Sequence, residues 1–211
     1  MRAKNVCLFL IMLYFALVPF PSQAGDVPKI VGVYTEVPGQ EFVFDGKSVE
    51  IVEFLSFYCS HCYQFEKAVP VVKGNFPKKI TWKTVPIYWG KGSPKPGEAY
   101  FLAVEEGKGE QMKKAIFEAL FLEGKDIGQI EVLEEIGVKV GLGFDFSKRL
   151  RAGEKAAEAK EKLELANKYS INETPSLIIA GNLMTSPGML NNNMDLLRDN
   201  AILILKSLFN K

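Results

Sequence analysis

Cys59-Ser60-His61-Cys62 sets two thiols three positions apart, with the chain's single histidine between them. Such a pair can exchange a disulfide with another dithiol, lock as a static crosslink, or supply part of a zinc site. A crosslink over two intervening residues closes almost no loop, so it constrains the unfolded chain very little. Zinc asks for about four ligands, and the chain holds only 3 Cys and 1 His. Disulfide exchange is the chemistry that the residue types and spacing favour. Forming the bond requires Cα atoms about 4.4–6.8 Å apart, a distance that residues i and i+3 meet at the start of a helix.

Exchange also needs an activated thiolate, and the flanking sequence provides for one. Residues 49–58 are β-rich and mostly apolar, the pattern of a strand covered on both faces. From Cys59 onward the apolar spacing turns helical, so the cysteine stands where a buried strand ends and a helix begins. The first backbone N–H groups of a helix lack intrahelical partners, and the dipole there is positive. Both favour a thiolate on Cys59. The imidazole of His61 is expected to add a donor or a positive charge, the alternative being an exposed histidine without a role. Cys62, one turn into the helix, reads as the resolving thiol. Glu53 sits among Val52, Phe54 and Leu55, which predicts a buried carboxyl with a raised pKa, able to accept or relay a proton. The other reading of Glu53 is a solvent-facing strand residue.

Around this motif the chain alternates between α/β and helical character. Residues 25–48 read as an irregular arm with a short strand at 29–34. Pro70 is expected to kink the motif helix, and 80–86 alternates as a second strand, giving a βαβ unit. From 97 to 169 no strand is evident. Helices are predicted over 97–106, 110–122, 130–140 and 153–169. A strand follows at 175–180, Gly181-Asn182 reads as a two-residue hairpin turn into 183–185, and 194–209 closes the chain as a helix. The division expected is a leader over 1–24, a first α/β part over 25–92, a helical insertion over 93–169 and a second α/β part over 170–211.

The leader is an address. Arg2 and Lys4 precede an uncharged apolar run over 6–18, and Ser22-Gln23-Ala24 offers small residues at a signal-peptidase site. The run is short for a membrane span, so cleavage after Ala24 is expected, a retained anchor being the alternative. Its loss removes Cys7, two basic residues and no acidic ones, which turns the whole-chain net charge of +1 into −1. A charge so near zero gives no reason to expect nucleic acid or an anionic membrane surface as partner. An exported protein meets an oxidising compartment.

Phe54-Leu55-Ser56-Phe57-Tyr58-Cys59-Ser60-His61-Cys62-Tyr63-Gln64-Phe65-Glu66 resembles the active-site segment of the DsbA family, periplasmic thiol oxidases of the thioredoxin superfamily. The order of elements, the helical insertion and the late Thr174-Pro175 ahead of a strand are similar too. The resemblance implies a thioredoxin fold with an inserted all-helical domain and a periplasmic enzyme that introduces disulfides into exported proteins. It implies no cofactor beyond the Cys59–Cys62 disulfide, reduced exported polypeptides as substrates, a membrane quinone-linked (DsbB-like) reoxidising partner, and a monomer. It implies a cis Pro175 packed against the redox pair, with the Thr174 backbone free to pair with a substrate strand. It further implies Glu53 as the buried acid under the site, Lys83 as a lysine near that acid, and Glu66 as the first-helix acid. The sequence departs from the family at Ser60, where Pro is typical, and at Thr174, where Val is more usual and Thr is similar to the related isomerases. An isomerase or reductase of the same fold is therefore the second reading. Isomerases carry a separate N-terminal dimerisation domain, for which about 25 residues after the leader leave no room. A chaperone-like binding protein with an inert disulfide is the reading from another class.

Overall fold

The computed structural model describes residues 29–90 and 92–209; the leader and its cleavage site lie outside the described residues. Among the described residues, five strands form one sheet in the order β1-β5-β4-β2-β3. They are β1 (Thr35–Glu36), β2 (Val49–Leu55), β3 (Ile80–Pro86), β4 (Ser176–Ile179) and β5 (Leu183–Thr185). β2 and β3 run parallel, with Val49 opposite Ile80 and Leu55 opposite Pro86. The β2–β4, β4–β5 and β1–β5 pairings are antiparallel. This is an α/β architecture: the thioredoxin fold with a helical insertion between β3 and β4.

The connection from β2 to β3 is the motif helix, broken into α1 (Ser60–Phe65) and α2 (Ala68–Asn75). Pro70 has no N–H to give to the carbonyl four residues back, that of Glu66, and the break falls there, at Glu66 and Lys67. The insertion contributes α3 (Lys95–Glu105), α4 (Gly109–Phe121), α5 (Ile130–Lys139), α6 (Phe144–Arg151) and α7 (Ala156–Lys168), and α8 (Met194–Phe209) ends the chain.

Three local expectations are corrected. The first strand lies at Thr35–Glu36, not at 29–34. The helix expected over 153–169 begins only at Ala156, and α6 precedes it unforeseen. Gly153 (φ +66°) terminates α6: its N–H bonds to the Leu150 carbonyl and that of Glu154 to the Arg149 carbonyl, the paired bonds of a left-handed helix end. α6 buries Phe146 and Leu150, four apart, among charged neighbours that hide the stripe. At the hairpin the left-handed pair is Ala180 and Gly181, one residue earlier than expected. The Ala180 carbonyl accepts from Val43 N and the Asn182 carbonyl from Val37 N, so the arm, rather than the two strands alone, selects the turn.

The core falls into three parts. One face of the sheet packs on α1, α2 and α8 through Ile51, Phe65, Val72, Leu177 and Ile204. The other face packs Phe54, Val85 and Ile178 against Leu165 and Ala166 of α7. The third part lies within the insertion but extends to Leu55, Phe57 and Cys62. The insertion's core therefore continues directly beneath the cysteine motif.

Candidate active site

Cys59 caps the N-terminus of α1 with extended backbone (φ −96°, ψ 116°), and its sulfur accepts from Cys62 N at 3.4 Å. The strand that delivers it is fixed on both flanks by β3 and β4. The Cys59 thiol also reaches the Thr174 carbonyl, 3.1 Å from its sulfur. Cys62 is fully buried. The two sulfurs therefore behave oppositely. Hydrogen bonds from the Cys62 thiol, from the Thr174 side chain and from the Cys62 and His61 N–H groups bring the Cys59 pKa down to about 5, against the opposing effect of burial. Burial pushes the Cys62 thiol up, as do its hydrogen bond and proximity to Cys59. At pH 7 a pKa of about 5 leaves roughly a hundred thiolates per thiol at Cys59. The reduced pair is one thiolate beside one thiol.

The other anticipated residues fall at different depths. Ser60 is exposed on the first turn. His61 is half-buried; it stabilises the sulfur through its backbone N–H, and among the described residues its imidazole makes no hydrogen bond. The Thr174-Pro175 bond is cis, and Thr174 is buried beside Cys59.

Glu53 is fully buried and accepts from Trp82 Nε1 at 2.9 Å, while its Oε1 has no hydrogen-bond partner among the described residues. Burial raises its pKa, partly opposed by Lys113 and by the Trp82 bond. The expected neighbour Lys83 is not there. Register sets Lys83 opposite Val52, and sets Trp82 and Thr84 opposite Ile51 and Glu53. Alternation sends Lys83 to the other face, where it pairs with Glu50 at 2.5 Å in solvent. The lysine near the buried acid comes from the insertion instead. Lys113 of α4 is 1% exposed, with Nζ 3.1 Å from Glu66 Oε1 and 3.3 Å from Glu110 Oε2. Burial first, then Glu53, raises the Glu66 pKa to about 7, with Lys113 pulling the other way. Burial pushes the Lys113 pKa down, but the three carboxyls around it, those of Glu53, Glu66 and Glu110, together raise it. Trp82 and Lys113 escaped sequence reasoning. The first was available from the two-residue period of β3, and the second from its place in the apolar stripe with Met112, Ile116 and Phe117.

Residues 50–200 match the family model described as DSBA-like thioredoxin domain. The chain belongs to that family. A thiol:disulfide interchange protein DsbA of Azotobacter vinelandii is 27% identical over 154 residues, covering 72% of each chain. Its Pseudomonas aeruginosa namesake is 23% identical over 181 residues, covering 84% of each. Among solved structures, Pseudomonas aeruginosa DsbA superposes with a TM-score of 0.68 at 19% identity, over 85% of this chain and 95% of that one. Proteus mirabilis DsbA, solved with a non-covalently bound peptide, gives 0.66 at 17% identity, over 85% and 97%. These likenesses carry the fold; the geometry above carries the chemistry.

Proposed function

We propose that this chain is a thiol:disulfide oxidoreductase that donates the Cys59–Cys62 disulfide to reduced exported polypeptides. The observation that carries the reading is the division of labour between the sulfurs: a stabilised thiolate on Cys59 at the helix N-terminus, and a buried, proton-holding Cys62 beneath it. A substrate thiolate attacks the Cys59 sulfur of the disulfide, and Cys62 leaves and takes a proton. A second substrate thiolate then attacks the substrate sulfur of the mixed disulfide and expels Cys59. The substrate loses two electrons and the pair gains them. Cys59 is a good leaving group because its thiolate is stable.

Glu53 is assigned as the proton relay for Cys62. It shares a strand face with Leu55, which packs with Cys62 in the core, and its unpartnered oxygen and raised pKa suit a carboxyl that changes protonation. Thr174 and Pro175 border the sulfur where a substrate strand would pair. No cofactor is required beyond the cysteine pair. The chain is exported on residues 1–24, is cleaved after Ala24, acts as a monomer and is reoxidised by a quinone-linked membrane partner.

The test is stoichiometric oxidation of a reduced, unfolded protein by the oxidised mature chain, with mass spectrometry of its N-terminus. Net disulfide formation that vanishes in Cys59→Ser is expected. Reshuffling without net oxidation would make it an isomerase, no oxidation by the wild type together with aggregation suppression that Cys59→Ser retains would make it a binding protein, and an N-terminus retaining Met1 would refute cleavage.

A further inference from the structure

Glu173, immediately before Thr174, is tied into the fold from both ends. Its carbonyl accepts from the Ser176 hydroxyl at 2.8 Å. Its carboxylate accepts from the Ser186 hydroxyl at 2.5 Å and from Gly188 N at 3.2 and 3.1 Å. Ser186 and Gly188 belong to the entry of a short 3-10 helix, Pro187–Leu190, whose N-cap side chain makes no capping bond of its own. The Ser186 hydroxyl is spent on Glu173, and the carboxylate takes the Gly188 N–H that the turn leaves over. Gly188 explains itself in the same way: a Cβ there would stand 2.7 Å from Glu173 Oε1 and 2.9 Å from Oε2. Nothing in this arrangement touches a sulfur. It fixes the residue whose neighbour does.

We propose that Glu173 is a positioning residue for the redox pair, fastening the 173–176 segment to the 186–190 turn and so fixing where Thr174 meets the Cys59 sulfur. The chain of contact is short. Ser186 and Gly188 hold the carboxylate, the backbone carries its position one residue on, and the Thr174 carbonyl lies 3.1 Å from the Cys59 sulfur. Thr174 contributes two groups there: a carbonyl that accepts from the thiol and a side chain that donates to the thiolate. Ionisation of Cys59 removes the proton that the carbonyl was accepting, so the hydroxyl must already be in place for the thiolate to be favoured. A loosened segment would forfeit that placement without removing any group from the site.

The proposal rests on the thiol–disulfide reading above. Its test compares Glu173→Ala, Glu173→Gln and Gly188→Ala by glutathione equilibrium, by thiolate absorbance against pH, and by thermal unfolding of both redox forms. Glu173→Ala and Gly188→Ala should each lower the equilibrium constant for oxidising glutathione about threefold or more, with a matching rise of about half a unit in the Cys59 pKa. Gly188→Ala does this with Glu173 still present, by pushing its carboxylate aside. Glu173→Gln retains an acceptor oxygen and should return most of the loss. Glu173→Ala should add little in a Thr174→Val background, where the hydroxyl is already gone. If the variants lose stability equally in both redox forms while the equilibrium constant and pKa stay at wild-type values, Glu173 is a structural tie only and the proposal falls. A wild-type protein that exchanges no disulfide with glutathione overturns the functional reading itself and this inference with it.

Discussion

Lys113 Nζ stands 3.1 Å from Glu66 Oε1 in the interior, joining the helical insertion to the helix that carries both cysteines. The ammonium serves Glu53, Glu66 and Glu110 together. Removing it leaves buried carboxyls without a counter-charge, which costs about 3–5 kcal/mol in comparable sites. Lys113→Met should therefore lose stability on that order at pH 8 in denaturant titrations. Glu53 and Glu66 have raised folded-state pKa values, so the loss should shrink as pH falls and they protonate. Lys83→Met, which breaks only the exposed pair with Glu50, should change stability by less than about 0.5 kcal/mol. The reverse ranking would restore Lys83 as the partner of the buried acid.

Glu66→Gln should stabilise the protein at alkaline pH. A carboxyl whose folded pKa is raised contributes stability that is full below its unfolded pKa and is lost as pH rises through the folded value, here about 7. Glutamine avoids that loss. The gain should be on the order of 2 kcal/mol near pH 8, shrink as pH falls below about 7 and vanish near the ordinary value of 4.5. Unfolding measured from about pH 4 to about pH 9, which brackets the shift from 4.5 to about 7, checks it. A gain independent of pH would point to packing instead.

Thr174→Val keeps the shape of the side chain and removes its donor to the Cys59 sulfur. The Cys59 pKa should rise by about one unit, and the oxidising equilibrium with glutathione should weaken about tenfold at pH 7. The sign follows from a depressed folded pKa. Cys59 ionisation stabilises the reduced fold fully above its unfolded pKa of about 8.5, and the benefit is lost as pH falls through about 5. The wild-type and Thr174→Val equilibria should consequently converge below about pH 4. Persistence of the gap at low pH would contradict a thiolate-based effect.

His61→Ala retains the backbone N–H that acts on Cys59. Thiolate absorbance should place its Cys59 pKa within about half a unit of wild type, inside the range of one weak hydrogen bond. A rise of a full unit or more would return the leading role to the imidazole.

The cysteine pair, the strand that ends at it and the helix that starts from it are legible in 49–65 because their determinants are local. Spacing, apolar run and helix onset all lie within a few residues. The break ahead of Pro70 is legible for the same reason: one missing N–H decides it. The order of elements also follows from local patterns, and with it an α/β domain with a helical insertion; the thioredoxin fold itself was implied by the family resemblance of residues 54–66. α6 escaped because a two-residue apolar stripe among charged side chains carries too little periodic signal, and Gly153 marks the end of one helix rather than the start of another.

What the sequence by itself could not decide is which distant groups meet the sulfur and the buried acid. Thr174 reaches Cys59 across 115 residues of chain, a meeting that the family resemblance implied but no local pattern encodes, and Glu173 reaches Ser186 and Gly188 through a side chain whose direction no local pattern encodes either. Trp82 faces Glu53, and Lys83 faces away, because the β2–β3 register fixes that parity; a slip of one residue would exchange them. Lys113 enters the cluster only because α4 packs against the motif helix. Secondary structure follows from interactions a few residues long, whereas the identity of a site's neighbours follows from register and packing, which the whole tertiary structure sets at once.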